Sequence, residues 1–294
     1  MSLHRPPPRI FALIIGINKY KNSPHIPELE GAVPDAEAVL DYLENHLGVP
    51  SPQIRILRNS EATRTAIIDG IMAFSLDPNI EKGDPILIYF AGHGDSADTP
   101  EDWKVGSTGK IELLVPYDHD SSLVVHNPKH GIPDRSIGAL LSHVASIKGD
   151  NIVRQTFIPR EFIYRLTTWQ TVILDCCHSS SGTRASGKQN HQVQVLDPTL
   201  KVRAINVGKI PSNLDQDIRR VLDLERKTEV HSGFAHKGLR SHILLAACHS
   251  QGSAYERTSR GLFTVALLDT LVDCGINNLT YATLLSQMPR LSNG

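Results

Sequence analysis

Short apolar runs alternate with stretches of helical spacing along this 294-residue chain. Residues 10–17 are apolar throughout, the pattern of a strand buried on both faces. A loop with glycine and several prolines fills 18–34. Apolar residues at 36, 39, 40, 43 and 47 then predict a helix over 35–47, with Pro34 in the first turn and Gly48 as the stop. Residues 54–57 read as a second strand, and Thr63 as the N-cap of a helix running to Phe74. A third strand leads into Ala91-Gly-His-Gly-Asp95. The polar stretch 96–110 reads as a surface loop, and 111–115 as a small strand. Pro133-Asp-Arg-Ser opens a helix that Gly149 closes, with Ile137, Leu140, Leu141 and Val144 as its stripe. The fourth strand is 171–175 and the fifth 242–247, followed by helices over 262–272 and 281–288, the second capped by Thr280. Such alternation predicts a single α/β domain.

Organisation follows from the same pattern. Residues 1–8 form a basic, proline-rich tail, and 9–290 one domain. Within it, 183–239 is long, charged and poor in aromatics, the mark of a flexible linker, with a helix near 215–225. Thirty Lys and Arg balance 31 Asp and Glu, which gives no reason to expect nucleic acid or an anionic membrane as partner. No apolar run approaches 18 residues and no secretory segment is visible, so the expected location is cytoplasmic. The cysteines, 176, 177, 248 and 274, have neither framework nor metal spacing, which suits a reducing compartment and no metal site.

Two of the strands end in chemistry. Thr171-Val-Ile-Leu runs into Asp175-Cys-Cys-His-Ser, and Pro85-Ile-Leu-Ile-Tyr-Phe into Ala-Gly-His93-Gly. Ligands of open parallel sheets sit beyond the carboxyl ends of the strands. Two parallel strands would bring His93 and a cysteine to one edge, where imidazole and thiol together can perform nucleophilic catalysis. Neighbouring strand residues point to opposite faces, so only one of Cys176 and Cys177 can serve.

These motifs resemble those of the caspase-like cysteine peptidases, in particular metacaspases, and the resemblance runs from about residue 9 to 288. It implies a caspase-like three-layer α/β sandwich, with a mostly parallel central sheet flanked by helices, and a Cys177–His93 dyad with Gly94 and Cys177 backbone amides as the oxyanion site. It implies cleavage after Arg or Lys, held by substrate-binding Asp35 and Asp175. Residues 9–182 would correspond to the large subunit, 183–239 to the intervening linker and 240–290 to the small subunit. The enzyme would be a zymogen cut in that linker after Arg184, Lys188, Lys201, Arg203 or Lys209. The chain departs from the pattern at Ala32 and Ala91, where the family has Cys and Ser. Arg184 stands where some relatives place a calcium-binding Asp, so no calcium site like theirs and no other cofactor is expected; the acidic stretch near Asp118 and Asp120 is the remaining calcium candidate. Residues 153–170, rich in aromatics, look inserted ahead of the cysteine strand. Residues 291–294 are too few for a last strand, which would leave the fifth strand an edge. The expected function is a cysteine endopeptidase acting on protein or peptide substrates. The alternative is a catalytically weak scaffold of the same fold.

Overall fold

A computed structural model describes residues 7–21, 25–101, 103, 110–120, 131–149, 170–177, 199–205, 210–223, 242–248, 252–276 and 279–290. His178, Arg184, Lys188, Lys209, residues 291–294 and all of the expected insertion over 153–170 except Gln170, the first residue of a strand, lie outside them, as does most of 183–239.

The central sheet has five strands, all parallel. They are β1 (Phe11–Gly16), β2 (Ile54–Arg58), β3 (Ile86–Ala91), β7 (Gln170–Asp175) and β9 (Ile243–Ala246), in the order β2-β1-β3-β7-β9. Period-two alternation in these apolar runs feeds two cores at once. Leu13, Ile15, Ile88, Phe90, Val172 and Leu174 pack on α2 (Arg64–Leu76) and α3 (Asp134–Lys148). Ala12, Ile14, Tyr89, Ala91 and Ile173 pack on α1 (Ala32–Asp41), α5 (Leu262–Cys274) and α6 (Tyr281–Gln287). Strands that are apolar at every position are what a sheet covered on both faces requires.

The caps follow the sequence. The Thr63 and Thr280 side chains accept hydrogen bonds from the Ala66 and Thr283 amides, at 3.2 and 3.1 Å. Gly48, at φ +71°, follows the π-helical turn Tyr42–His46 that extends α1.

Three features differ from the sequence-based expectation. Helix α1 starts at Ala32, inside the expected loop, with Pro34 in its first turn. The stretch read as a surface loop from 96 carries the end of β4 (Gly94–Asp98), which pairs antiparallel with β5 (Lys110–Leu114). β5 also pairs antiparallel with β6 (Ile132–Pro133).

The third difference lies in the expected linker. There, β8 (Lys201–Val202) pairs with β10 (Tyr255–Arg257), itself paired with β11 (Arg260–Gly261). Further on, the helix expected near 215–225 is present as α4 (Gln216–Val221) and is tied to the body by ion pairs. Asp215 meets Arg135, Asp217 meets Arg64, and the Trp103 indole donates to the Ser212 carbonyl at 2.7 Å. Arg135 also stacks 3.6 Å above the Trp103 ring.

Candidate active site

The register of β3 and β7 pairs Ala91 with Asp175. His93 and Cys177 each lie two residues further on, so both stand at the carboxyl edge of the sheet, just beyond adjacent strands. The chain is tight there: a Cβ on Gly94 would overlap the Cys177 carbonyl, so this close approach requires glycine. Alternation carries Cys176 into the α2–α3 core among Leu174 and its neighbours. Asp175 and Cys177 turn the other way.

The His93 ring is buried, with Nε2 2.8 Å from the Pro27 carbonyl. Because a carbonyl only accepts, Nε2 carries the hydrogen, and in the neutral ring Nδ1 is left as a base. Nδ1 makes no hydrogen bond among the described residues. The Tyr20 hydroxyl accepts from the His93 amide at 2.8 Å, and the two rings lie 5.2 Å apart. Burial holds the imidazole below its ordinary 6.5, opposed by the Pro27 carbonyl. The Cys177 Sγ accepts from the Ala254 amide at 3.1 Å. Burial pushes its thiol up to about 12; the Ala254 backbone and Ser253 side-chain hydrogen bonds oppose the shift. Thiol and imidazole are therefore both neutral in this state.

The site is filled by the chain itself. The Arg203 carbonyl accepts from the Gly94 amide at 3.0 Å and from the Cys177 amide at 3.2 Å. On either side its backbone is pinned: the Arg203 amide donates to Ala254 O at 3.0 Å, and the Ile205 amide to Gly94 O at 3.1 Å. The guanidinium is fully buried in an acidic pocket. Nη2 lies 2.7 Å from Asp35 Oδ2 and 3.2 Å from Glu256 Oε2, and Nη1 lies 3.1 Å from Asp175 Oδ2. Nη1 also donates to the Asp175 carbonyl at 3.2 Å, and Nε to Glu256 at 3.3 Å. Every guanidinium nitrogen thus has an acceptor, the condition for burying such a charge without leaving it uncompensated. Burial works against its charge, but Asp175 and Asp35 outweigh this and raise its pKa.

The carboxylates are themselves fixed. Asp35 Oδ2 accepts from the Gly261 amide and Oδ1 from Arg260 Nε, both at 2.7 Å. Burial raises the Asp35 pKa, the Asp175 charge adds to this, and Arg203 opposes both. Asp175 Oδ2 accepts from the Thr264 hydroxyl at 2.6 Å, and that hydroxyl lies 2.6 Å from the Tyr89 hydroxyl. With its own proton committed to Asp175, Thr264 takes Tyr89's.

The four residues expected from the sequence, His93, Cys177, Asp35 and Asp175, thus converge on one segment with Gly94. Sequence reasoning missed Glu256, Gly261, Thr264 and the identity of the pocket's occupant. The β10–β11 hairpin turns through Thr258 and Ser259, both at positive φ (52° and 59°), where glycine or asparagine is the usual signal. An acid beside that turn therefore carried no visible mark.

These features define a class: an α/β protein with a thiol and an imidazole at the carboxyl edge of a parallel sheet. The Caspase domain model matches residues 9–291, and the chain belongs to that family. Membership points to cysteine-peptidase chemistry and to protein substrates. In fold the chain is similar to the crystal structure of protein GSU0716 from Geobacter sulfurreducens, with a TM-score of 0.55 at 18% identity, over 96% of this chain and 90% of that one. No curated protein matches the chain. Among the described residues no helix is long and apolar enough to cross a membrane.

Proposed function

We propose that this chain is a metacaspase-type cysteine endopeptidase that cleaves after arginine, and that its own Arg203–Ala204 bond lies in the site as a first substrate. One observation carries the reading: the Arg203 carbonyl accepts from two backbone amides while its guanidinium is enclosed by Asp35, Asp175 and Glu256. Cys177 is the nucleophile and His93 the base. The Cys177 sulfur attacks the Arg203 carbonyl carbon as its proton passes to His93 Nδ1. The Gly94 and Cys177 amides hold the oxyanion. The peptide bond then breaks, and His93 returns the proton to the Ala204 amine. Water, deprotonated by His93, releases Arg203 as a carboxylate and restores the thiol.

Cutting at Arg203 divides the linker between a large-subunit-like part, 9–182, and a small-subunit-like part, 240–290. The Ala204 side stays attached through Asp215–Arg135 and Asp217–Arg64. The Arg203 side leaves and opens a pocket of three carboxylates. Like charges crowded in a buried pocket favour a guanidinium and reject an acidic residue. The free state of all four cysteines suits the cytoplasm.

A second reading, a catalytically weak scaffold, is favoured by the completeness with which Arg203 plugs the pocket at 0% exposure. Incubating the purified parent beside Cys177→Ala separates the two. The proposal expects a new N-terminus at Ala204 from the parent alone, followed by hydrolysis of Arg- but not Asp-terminated peptides. An intact chain in both samples, with no peptide hydrolysis, favours the scaffold.

A further inference from the structure

We propose that Glu30 selects a basic residue at the third position before the scissile bond, two places before the arginine, so that the preferred substrates read Lys/Arg-x-Arg. This rests on the peptidase reading above, and concerns a residue that neither the sequence motifs nor the acidic pocket singled out.

β8 pairs antiparallel with β10, with Val202 opposite Tyr255 and Lys201 opposite Glu256. In an extended segment alternate side chains share a side. Arg203 and Lys201 therefore both face the body, and Val202 points outward, 36% exposed. Arg203 descends to the pocket floor, while the Lys201 ammonium meets Glu30 Oε1 at the rim. The other Glu30 oxygen accepts from the Ser259 hydroxyl at 3.3 Å. The backbone beneath is anchored as well: the Glu30 and Gly31 amides donate to the two oxygens of Glu256, at 2.8 and 3.1 Å. Glu256 is the carboxylate that also touches Arg203. The residue that reads the third position is thus built onto the wall that holds the first.

Other features of the rim fit this assignment. The Lys201 hydrogen bond holds the Glu30 carboxyl below the usual carboxylate range. The neighbouring cation, Arg260, is turned inward onto Asp35 and does not compete for Glu30. The middle position has an open, solvent-facing side and carries no such demand.

An ion pair whose side chains are 48% and 58% exposed gives modest discrimination, so the expected preference is about two- to fivefold in kcat/KM. The test compares Leu-Lys-Val-Arg and Leu-Glu-Val-Arg fluorogenic peptides on the full-length parent and on Glu30→Lys. The parent should favour the lysine peptide, through KM, and raising ionic strength should shrink the ratio. Glu30→Lys should reverse the preference while still cutting after arginine. In the intact chain, Glu30→Lys or Lys201→Glu alone should slow cleavage at Arg203, and the double charge swap should restore it. An unchanged peptide ratio in Glu30→Lys, with cleavage after arginine retained, overturns the assignment of Glu30 and leaves the peptidase reading standing. Absence of any cleavage after arginine by the parent overturns the peptidase reading, and this inference with it.

Discussion

The backbone amide of Cys177 donates to the carbonyl oxygen of Arg203 at 3.2 Å, so the residue expected to attack and the residue expected to be cut are joined through the main chain. A second donor, the Gly94 amide at 3.0 Å, makes the pair that a tetrahedral oxyanion needs. This arrangement does not depend on either side chain, so variants of one or the other should leave the docked backbone in place.

The two adjacent cysteines should behave differently on that account. Cys177→Ala is expected to lower peptide hydrolysis by at least about a thousandfold with the thermal midpoint little changed, because the nucleophile is lost and its amide kept. Cys176→Ala removes a sulfur from the α2–α3 core. It should cost about 1 kcal/mol of stability while leaving turnover largely intact. Equal loss of activity in both variants, with folding preserved, would overturn the assignment of Cys177.

Gly261 is expected to control entry to the acidic pocket. A Cβ there would overlap the carboxylate oxygens of Asp175 and Asp35 and lie 2.8 Å from Arg203 Nη1. Gly261→Ala should therefore raise KM for arginine peptides about tenfold or more and slow the cut at Arg203, with the fold retained by circular dichroism. An unaltered KM would mean that substrate arginine binds elsewhere.

His93 should leave a mark on the pH dependence of stability. Its imidazole titrates below 6.5 in the folded chain because burial disfavours the charged ring, whereas the unfolded ring takes a proton near 6.5. Below 6.5 the unfolded state then binds more protons. The stability from the depressed pKa is complete above 6.5 and is lost as pH falls through the folded value. Urea midpoints of intact Cys177→Ala protein from pH 7.5 to 5 should fall with acid, and less steeply when His93→Gln is added. Equal slopes would show that His93 is not the group responsible.

Much of the architecture was legible in local pattern. The runs containing Leu13 and Ile15, Ile88 and Phe90, and Val172 and Leu174 are apolar at every position, and only a sheet covered on both faces accepts that. Thr63 and Thr280 declared their helices by capping chemistry. β4 was missed because Asp95 and Asp98 give a polar stretch with no strand alternation. It forms through pairing with β5, a tertiary influence that outweighs weak local propensity.

By itself the sequence determined the five strands of the central sheet, most of the helices, and the placing of His93, Asp175 and Cys177 at strand ends, since these depend on neighbours within a few positions. Tertiary structure alone decided that Ala91 pairs with Asp175, setting the histidine and the cysteine just beyond adjacent strands. It alone chose Arg203 from the basic residues of the expected linker, brought Glu256 from a three-residue strand to complete its cage, and paired Glu30 with the Lys201 ammonium. Those choices join residues far apart along the chain. Charge compensation of a buried guanidinium is satisfied only when the packed sheet and helices hold Asp35, Asp175 and Glu256 around one point.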